Sequence, residues 1–467
     1  MGYEPPMSND EFRAAGHAMI DWIADYWESV EDMPVLSQVQ PGDIRASLPE
    51  TPPESPEQWG DIMSDVDRLI LPGVTHWQSP NFFAYFPANA SPPSVLGELL
   101  SAGLGVQGML WATSPACTEL ETHMLDWMLD LCGLPDRFRS TGPGGGVIQD
   151  SASSSVLVAI LAARQRVGGN FQLDNLVAYT SEHAHSSMLK GCKIAGITEE
   201  QVRMIPTDHT FAMDVEALRA AMTEDLIADR RPFFVQATAG TTSSTAFDPV
   251  DAIADVCKDF GAWLHVDGAF AGSAAVAEEF RFVNAGLDRV DSYCFNPHKW
   301  LLTNFDCSLF YVADRGPMID ALTVVPEYLR NAATDSGGVI DYRDWQVSLG
   351  RRFRALKLWF VIRTHGSQGL ANFVRGHVEM AKNLDARIAA HPDYEIVAPT
   401  ALSLVTFRHI GGDRDNERIR DQINESGRAY VTHTRVGDQT VLRIAVGAVR
   451  TEARHVDDLW ELLTELA

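Results

Sequence analysis

The chain has 467 residues, 45% of them hydrophobic and 21% charged, which suits one large domain with appendages or two to three domains. Its 37 basic and 63 acidic residues give a formal charge of −26. A surface this negative repels phosphate backbones and anionic lipid heads, which argues against nucleic acids and membranes as partners. The six cysteines are scattered without a CxxC pair, and no apolar run suggests a membrane span or an export signal. We therefore expect a cytoplasmic protein with reduced thiols and no metal site.

An amphipathic helix is predicted near the start of the chain. Ser8 and Glu11 have the spacing of a capping box, in which Ser8 is the N-cap and Glu11 bonds back to it. One face of this helix is apolar and carries aromatic side chains, so it packs either on the chain's own core or on a partner subunit. Residues 40–60, rich in Pro, Glu and Ser, predict an irregular connector. The apolar face of the helix consists of Phe12, Met19, Ile20, Ile23, Tyr26, Trp27 and Val30.

The middle of the chain, from about 147 to 312, alternates short apolar runs with helical patterns. This alternation predicts the α/β class, with a mainly parallel sheet covered on both faces and catalytic groups at the carboxyl ends of its strands. From residue 351 a long helical pattern leads to a smaller α+β region that ends in a helix around 454–466. The predicted strands are 176–179, 233–236 and 263–266, and the predicted helices are 152–166, 214–223 and 248–259.

Lys299 is the first candidate functional residue. It lies in Asn296-Pro297-His298-Lys299-Trp300, directly after the strand-like residues 292–295. Burial there lowers the pKa of a lysine and makes its amine nucleophilic, which suits it to bond covalently with an aldehyde. The alternative is an ordinary lysine on a surface loop.

Asp267 is the second candidate, because it ends the strand 263–266 and is followed by the small residues Gly268 and Ala269. A carboxylate at a strand's carboxyl end points into the same crevice as Lys299. A pyridine cofactor needs such a carboxylate to keep its ring nitrogen protonated. The alternative is that Asp267 caps the next helix.

Two further segments follow strand positions. The glycine-rich run 142–146 and the small residues 151–155 precede a helix, where free N–H groups and hydroxyls form an anion cup for a phosphate. No GxxxxGK[ST] or GxGxxG motif is present, which disfavours a nucleoside triphosphate or a dinucleotide. His185, which follows the strand 176–179, either stacks flat on a cofactor ring or is an ordinary structural histidine with its hydrogen bonds satisfied. Together the four sites supply different contacts to pyridoxal phosphate.

At these residues the chain resembles the group II pyridoxal-phosphate decarboxylases, specifically the aromatic-L-amino-acid decarboxylases. The resemblance implies a fold-type I architecture, pyridoxal 5′-phosphate as cofactor and a homodimer with active sites at the interface. It predicts a helical dimerisation region at 1–91, a large cofactor-binding α/β domain at 92–356 and a small C-terminal domain at 357–467. The motifs that carry it are 72–77 (PGVTHW), 82–87 (FFAYFP), 114–121 (SPACTELE), 265–267 (HVD), 296–300 (NPHKW) and 349–354 (LGRRFR).

The resemblance also implies the roles of individual residues. Lys299 carries the cofactor covalently, Asp267 pairs with the ring nitrogen, and His185 and Ala269 lie on opposite faces of the ring. His298 lies beside the substrate. Tyr328, on a mobile loop at about 323–340, protonates the reacting carbon with the assistance of His185. The other implied cofactor contacts are Ala152, Ser153, Thr242, Ser292 and Asn296.

The resemblance also implies the residues of the substrate pocket, where this chain departs from the family at one position. Relatives often carry a hydroxyl residue where this chain has Ala88, so the substrate carboxylate or the cofactor must be held in another way. Residues 106–109 are the segment that a partner subunit supplies. Gly350 stands where relatives with smaller substrates carry Ser, which leaves room for an indole or catechol ring. The implied pocket residues are Trp77, Tyr85, Phe86, Pro87, Ala88, Gln107, Met109 and Gly350.

The sequence thus predicts decarboxylation of tryptophan, phenylalanine, tyrosine or DOPA, rather than histidine or glutamate, to an arylalkylamine and CO2. Relatives that instead make an aldehyde by oxidative decarboxylation generally lack the tyrosine at position 328, so Tyr328 favours the amine product. Another reaction of the same cofactor, such as transamination or β-elimination, stays open. A cofactor-free homologue with a binding or regulatory role is the remaining alternative.

Overall fold

The computed structural model describes residues 7–168, 173–324, 332–335 and 338–467. Its α-helices are α1 Asn9–Ser29, α2 Asp43–Ser47, α3 Trp59–Asp65, α4 Pro92–Leu104, α5 Pro115–Cys132, α6 Ala152–Arg166, α7 Ser187–Ile194, α8 Val215–Ile227, α9 Val250–Phe260, α10 Pro297–Trp300, α11 Gly316–Leu322, α12 Ala332–Asp335, α13 Arg354–Ala390, α14 Asp413–Glu425 and α15 Ala453–Leu466. Its strands are β1 Gly145–Gln149, β2 Leu176–Ser181, β3 Val202–Ile205, β4 Arg231–Thr238, β5 Trp263–Asp267, β6 Ser292–Phe295, β7 Ser308–Val312, β8 Tyr394–Ala398, β9 Leu404–His409, β10 Thr432–Val436 and β11 Gln439–Ala445.

A mixed sheet with a parallel core organises the middle of the chain. Seven strands pair in the order β1-β7-β6-β5-β4-β2-β3. Strand β7 is antiparallel to both β1 and β6, while β6, β5, β4, β2 and β3 run parallel to one another. Each predicted strand lies within an observed one. The predicted α/β class with a mainly parallel sheet is confirmed.

Helices cover this sheet, which explains why its strands are apolar throughout. Strands β2, β5, β6 and β7 are buried at every position. Helix α6 packs against β1 and β4 to β7, and helix α9 packs against β4 and β5. With both faces buried, a strand gains by being continuously hydrophobic rather than alternating.

A second sheet follows the long helix α13. Its four antiparallel strands pair in the order β10-β11-β9-β8. Helix α13 bends at Gly366, where φ is 64° and ψ is 170°, and it also contacts β8, β9 and α15. The sheet and helices α14 and α15 enclose a separate core that includes Val405, Leu442 and Leu459.

Helix α1 begins at the predicted capping box. Ser8 Oγ accepts from the Glu11 N–H at 3.3 Å, and Glu11 Oε2 accepts from the Ser8 N–H at 2.7 Å. No side chain of α1 is buried within the chain, and Phe12 is 65% exposed. The predicted connector 40–60 is not wholly irregular, because it contains α2 and the start of α3. Among the described residues, no helix is long and apolar enough to cross a membrane.

Candidate active site

The carboxyl ends of the parallel strands bring the candidate residues together. In the sheet register Thr238 of β4 pairs with Asp267 of β5, and Asp267 pairs with Cys294 of β6. A cavity of about 220 Å³ opens just beyond these residues. Its walls are formed by Phe86, Ser151, Ala152, Ser153, His185, Thr238, Gly240, Thr242, Asp267, Ala269, Phe270, Asn296, His298, Lys299 and Phe305.

Lys299 reaches this cavity from the short helix α10 after β6. Its neighbour Trp300 is fully buried and donates from Nε1 to His377 Nδ1 at 3.0 Å, which fixes the helix against α13. Lys299 Nζ lies 5.4 Å from the centroid of the Phe86 ring. Burial lowers the pKa of this lysine, although the nearby Asp267 opposes the effect. This placement does not fit a lysine on a surface loop.

Asp267 is 4% exposed, and its carboxylate faces the cavity. Oδ1 accepts from the Ala269 N–H at 2.9 Å. This local bond from the backbone to the side chain is the kind expected if Asp267 caps the segment that follows it. Within the described part of the chain, Oδ2 has no hydrogen-bond donor. The second oxygen is therefore available for a protonated group of a ligand.

The anion cup lies at the start of helix α6. Ser151 caps the helix by accepting from the Ser154 N–H at 3.4 Å. The N–H groups of Ala152 and Ser153 have no acceptor within the helix, and the helix dipole favours a negative charge beside them. Two further polar atoms in the cavity wall, Asn296 Oδ1 and Thr238 Oγ1, are buried and have no hydrogen-bond partner among the described residues. The Thr238 hydroxyl can donate to an anionic group, whereas Asn296 Oδ1 can only accept. A cofactor that carries both acceptor and donor groups would complete these hydrogen bonds.

The glycine-rich run 142–146 does not belong to this cup, which corrects the prediction. Gly145 and Gly146 are the first residues of β1. A Cβ atom at Gly144 would lie 2.2 Å from the carbonyl oxygen of Arg137. These glycines are needed for close packing, and only the end of the segment, from Ser151 onward, reaches the cavity.

Two histidines face the cavity. Nδ1 of His185 accepts from the Ser187 N–H at 3.1 Å, and burial lowers the pKa of this ring. Nδ1 of His298 accepts from the Cys307 N–H at 2.9 Å, and burial lowers its pKa to about 3. Both rings are therefore expected to be neutral at pH 7, with their proton on Nε2. Each can donate a hydrogen bond into the cavity.

Ser292 does not reach the cavity, which is a second correction. It is the first residue of β6, and its hydroxyl accepts from Trp263 Nε1 at 2.8 Å and lies 2.9 Å from His265 Nδ1. Four residues of extended strand, at about 3.3 Å each, separate it from Asn296 at the other end. Only Asn296 lies at the edge of the sheet where Lys299 and Asp267 meet.

The predicted substrate pocket is divided among several places. Phe86 lines the Lys299 cavity, whereas Tyr85 lines a neighbouring cavity and stacks on Trp77 at 5.8 Å. Pro87 packs close to Gly447, and the carbonyl oxygen of Ala88 accepts from Gln78. Neither Pro87 nor Ala88 is part of the cavity wall.

Gln107, Met109 and Gly350 lie together, but outside the Lys299 cavity of their own chain. Gln107 Oε1 accepts from the Arg351 N–H at 2.7 Å, and the Met109 carbonyl accepts from the Arg343 N–H at 3.0 Å. A Cβ atom at Gly350 would lie 3.2 Å from Gln107 Nε2. Tyr328 falls outside the described residues.

The sequence prediction missed several residues of the cavity wall. Thr238 ends β4 as Asp267 ends β5, so the strand-end argument could have found it. Gly240 has a φ of 84°, and a Cβ there would lie 2.6 Å from that of Ala271, so the position needs glycine. No local signal in the sequence identifies Phe270 or Phe305.

Comparison with known proteins places the chain in a family. A family model described as the pyridoxal-dependent decarboxylase conserved domain matches residues 41–410. Phenylacetaldehyde synthase of Arabidopsis thaliana is 46% identical over 99% of this chain and 97% of its own length. Tryptophan decarboxylase 2 of Oryza sativa subsp. japonica is 45% identical over 99% of this chain and 95% of its own length. The crystal structure of Oryza sativa TDC with PLP and tryptamine has a TM-score of 0.97 and 41% identity, with 99% of both chains covered.

The family model spans most of the chain, and both relatives align with nearly all of it. These matches agree with the cavity, where a buried lysine, a carboxylate and an anion cup stand together. The predicted family and cofactor are confirmed. The chain belongs to the pyridoxal-dependent decarboxylase family, and pyridoxal phosphate is its cofactor.

Proposed function

We propose that the protein decarboxylates an aromatic L-amino acid, either tryptophan, phenylalanine, tyrosine or DOPA, to the arylalkylamine and CO2. The observation that carries the proposal is the single cavity that contains Lys299 and Asp267 together with aromatic walls. Three of its side chains, Phe86, Phe270 and Phe305, are phenyl rings, and Phe86 stacks on Phe270 at 3.8 Å. The names of the similar proteins also support an aromatic substrate.

Lys299 and Asp267 would hold the two reactive ends of the cofactor. Because burial lowers the pKa of Lys299, more of its amine is neutral and able to bond with a carbonyl carbon. Asp267 would keep a proton on the ring nitrogen through its available oxygen. When bound, pyridoxal phosphate supplies an electron-withdrawing ring that accepts the electron pair left behind as the carboxyl group departs as CO2.

The other cavity residues would bind and orient. Ala152, Ser153 and Asn296 would hold the phosphate, with Thr238 as a further hydroxyl on that wall. Ala269 and Thr242 are small enough to leave room for a flat ring between strand ends. His185 and His298 would donate from Nε2 to the cofactor or the substrate. Tyr328 stays the predicted donor of the proton that the reacting carbon receives, with His185 in support.

We also propose that the protein works as a homodimer. Helices α1 and α4 expose apolar side chains, among them Phe12, Leu99 and Leu104, each more than half exposed. Large apolar side chains exposed on helices in this way suit a subunit interface. The placement of Gln107 and Met109 outside their own chain's cavity is consistent with their supply to a partner's cavity.

Domain boundaries and location stay proposals of the same kind. The boundaries 1–91, 92–356 and 357–467 agree with the start of α4 at Pro92, but α13 runs across the second one. We propose a cytoplasmic location. Its support is that all six cysteines are buried free thiols, as is usual in a reducing compartment.

The test is a substrate panel on the purified holoenzyme. CO2 and amine are measured for L-tryptophan, L-phenylalanine, L-tyrosine and L-DOPA, with L-histidine and L-glutamate as comparisons. We expect equal amounts of amine and CO2 from at least one aromatic acid, and none from Lys299→Met. Borohydride reduction of the holoenzyme, followed by peptide mass spectrometry, should label Lys299. A preference for glutamate or histidine, or an unlabelled Lys299, contradicts the proposal.

A second candidate is oxidative conversion of the same acids to aldehydes. It is favoured by the 46% identity to a protein named phenylacetaldehyde synthase. In that reaction the amino acid, O2 and water give the aldehyde, CO2, ammonia and hydrogen peroxide. Measuring peroxide and aldehyde in the same assays separates the two reactions.

A further inference from the structure

Arg443 is a buried cation without a counter-ion among the residues that the structure describes. It lies in β11 and is 3% exposed. Its Nη1 donates to Thr432 Oγ1 at 3.1 Å and its Nη2 donates to the Tyr85 carbonyl at 3.3 Å, both neutral acceptors. Its Nε is buried and has no hydrogen-bond partner in the described part of the chain. Within the described ranges no carboxylate forms an ion pair with this guanidinium.

An unpaired charge in this position is costly, because burial removes water without replacing it by a counter-ion. The guanidinium nevertheless stays charged at neutral pH, since burial lowers its pKa only to about 10. Arg443 lines a cavity of about 390 Å³ that shares Thr242 with the Lys299 cavity. The other arginine of this cavity, Arg420, already pairs with Asp421 at 2.7 Å. Arg443 is therefore the cation of this cavity that an incoming anion can neutralise.

The position of Arg443 relative to Lys299 suggests which anion that is. The guanidinium carbon lies 5.3 Å from the centroid of the Phe86 ring, and Lys299 Nζ lies 5.4 Å from the same centroid. The charge of Arg443 also contributes to lowering the pKa of Lys299, so the two cations are close enough to interact. In an α-amino acid the amine and the carboxylate share one carbon atom, so a substrate bound between the two cations can present its amine to Lys299 and its carboxylate to Arg443. Ala88 has no hydroxyl with which to bind that carboxylate.

We propose that Arg443 binds the α-carboxylate of the amino-acid substrate. This proposal rests on the proposed function, because it needs an amino acid as the ligand. The departing CO2 is neutral, so the ion pair stabilises the bound acid more than the state in which the carbon–carbon bond breaks. Arg443 therefore contributes mainly to affinity and orientation, and its loss raises KM more than it lowers kcat.

A purely structural role for Arg443 is the competing explanation. Its bond to the carbonyl of Tyr85 restrains a residue whose φ of 49° is unusual for a non-glycine side chain. Loss of that restraint would disturb the aromatic wall and weaken every ligand alike. Loss of a carboxylate site weakens only ligands that carry the carboxylate.

Two unreactive ligands separate these explanations. Indole-3-propionate has the carboxylate of tryptophan without its amine, and tryptamine has the amine without the carboxylate. Their inhibition constants are measured on the holoenzyme for the wild type, Arg443→Met, Arg443→Lys and Thr432→Val. We expect Arg443→Met to weaken indole-3-propionate about ten- to hundredfold and tryptamine less than about threefold. Arg443→Lys should recover part of the lost affinity for the acid. Thr432→Val keeps the charge of Arg443, so it should change the inhibition constants of the two ligands by the same factor.

Equal weakening of both ligands in Arg443→Met, or unchanged affinity for the acid, overturns the proposal. If Arg443→Met does not fold, the neutral variant Arg443→Gln takes its place, and the same two outcomes overturn the proposal. Amine release by the wild type is measured in parallel. An active wild type with equal losses overturns only the role of Arg443, and a wild type without decarboxylase activity overturns the proposed function itself.

Discussion

Replacing Asp267 by asparagine should remove a charge at the centre of the site while leaving its shape intact. The side chain is 4% exposed, and its Oδ1 accepts from the Ala269 N–H at 2.9 Å. Asparagine has the same size and its amide oxygen can keep that bond. The change therefore isolates the negative charge that the ring nitrogen of the cofactor needs.

The expected magnitude follows from the kind of interaction that is lost. A hydrogen bond to a charged partner contributes about 1.5–3 kcal/mol and a neutral one about 1 kcal/mol, so the affinity for the cofactor should fall about two- to thirtyfold. The rate should fall further, by about 10²- to 10³-fold, because the protonated ring nitrogen matters most while negative charge flows into the ring. Cofactor affinity is measured by absorbance titration of the apoprotein, and the rate is measured by CO2 release at saturating cofactor.

The matched control is Asp291→Asn at the opposite edge of the same sheet. Asp291 pairs with Arg166 at 2.6 Å and accepts from the Leu264 N–H at 2.8 Å, so its loss should lower stability without a specific effect on the cofactor. A rate for Asp267→Asn within about threefold of the wild type would refute the assigned role. So would a loss of rate no larger than the loss of affinity, because uniform binding does not accelerate the reaction.

Three further perturbations test other parts of the molecule. Tyr328→Phe should shift the product from amine toward aldehyde and ammonia, and an unchanged amine yield by chromatography contradicts the proton-donor role. Burial raises the pKa of Asp248 to about 6, so the folded protein holds a proton there that the unfolded chain has already lost. The free energy of unfolding should therefore fall by about 3 kcal/mol as the pH rises from about 4 to 6. Asp248→Asn should flatten this pH dependence, which is measured as denaturation midpoints. His377→Leu removes the acceptor of the Trp300 Nε1 hydrogen bond and should lower the free energy of unfolding by about 1–3 kcal/mol and speed the loss of cofactor. His377→Gln keeps a polar side chain and should retain part of the stability and of the bound cofactor. Equal behaviour of the two variants argues against a role for this hydrogen bond.

Sequence reasoning was most successful where burial on both faces leaves a strong pattern. The strands before Asp267 and Lys299 are short continuous apolar runs, so their carboxyl ends could be predicted to meet at one edge of the sheet. A distance along the chain of 32 residues says nothing of proximity, but the parallel register places β5 directly beside β6. The fold class and the two central residues therefore follow from local patterns and one rule of sheet topology.

The errors arose where the same local composition has more than one physical cause. A glycine-rich run suggests an anion cup, yet Gly144 is small because the Arg137 backbone approaches it closely. Ser292 and Asn296 are both polar residues flanking one strand, but they lie at opposite ends of it. Arg443 was not predicted at all, because an arginine in a strand of the small sheet is ordinarily a solvent-facing residue, and only the tertiary contact with Phe86 places it near Lys299.

The arrangement separates the chemistry from the choice of substrate. Lys299, Asp267 and the start of α6 are fixed by the sheet register and by buried helices, so a change at any of them disturbs the reaction. Gln107 and Gly350 instead contact each other on segments outside this cavity, and their exchange leaves the strand ends intact. Under the proposed homodimer, in which this segment reaches the partner's cavity, substitutions at these two positions should alter which aromatic acid is preferred while cofactor binding stays unchanged.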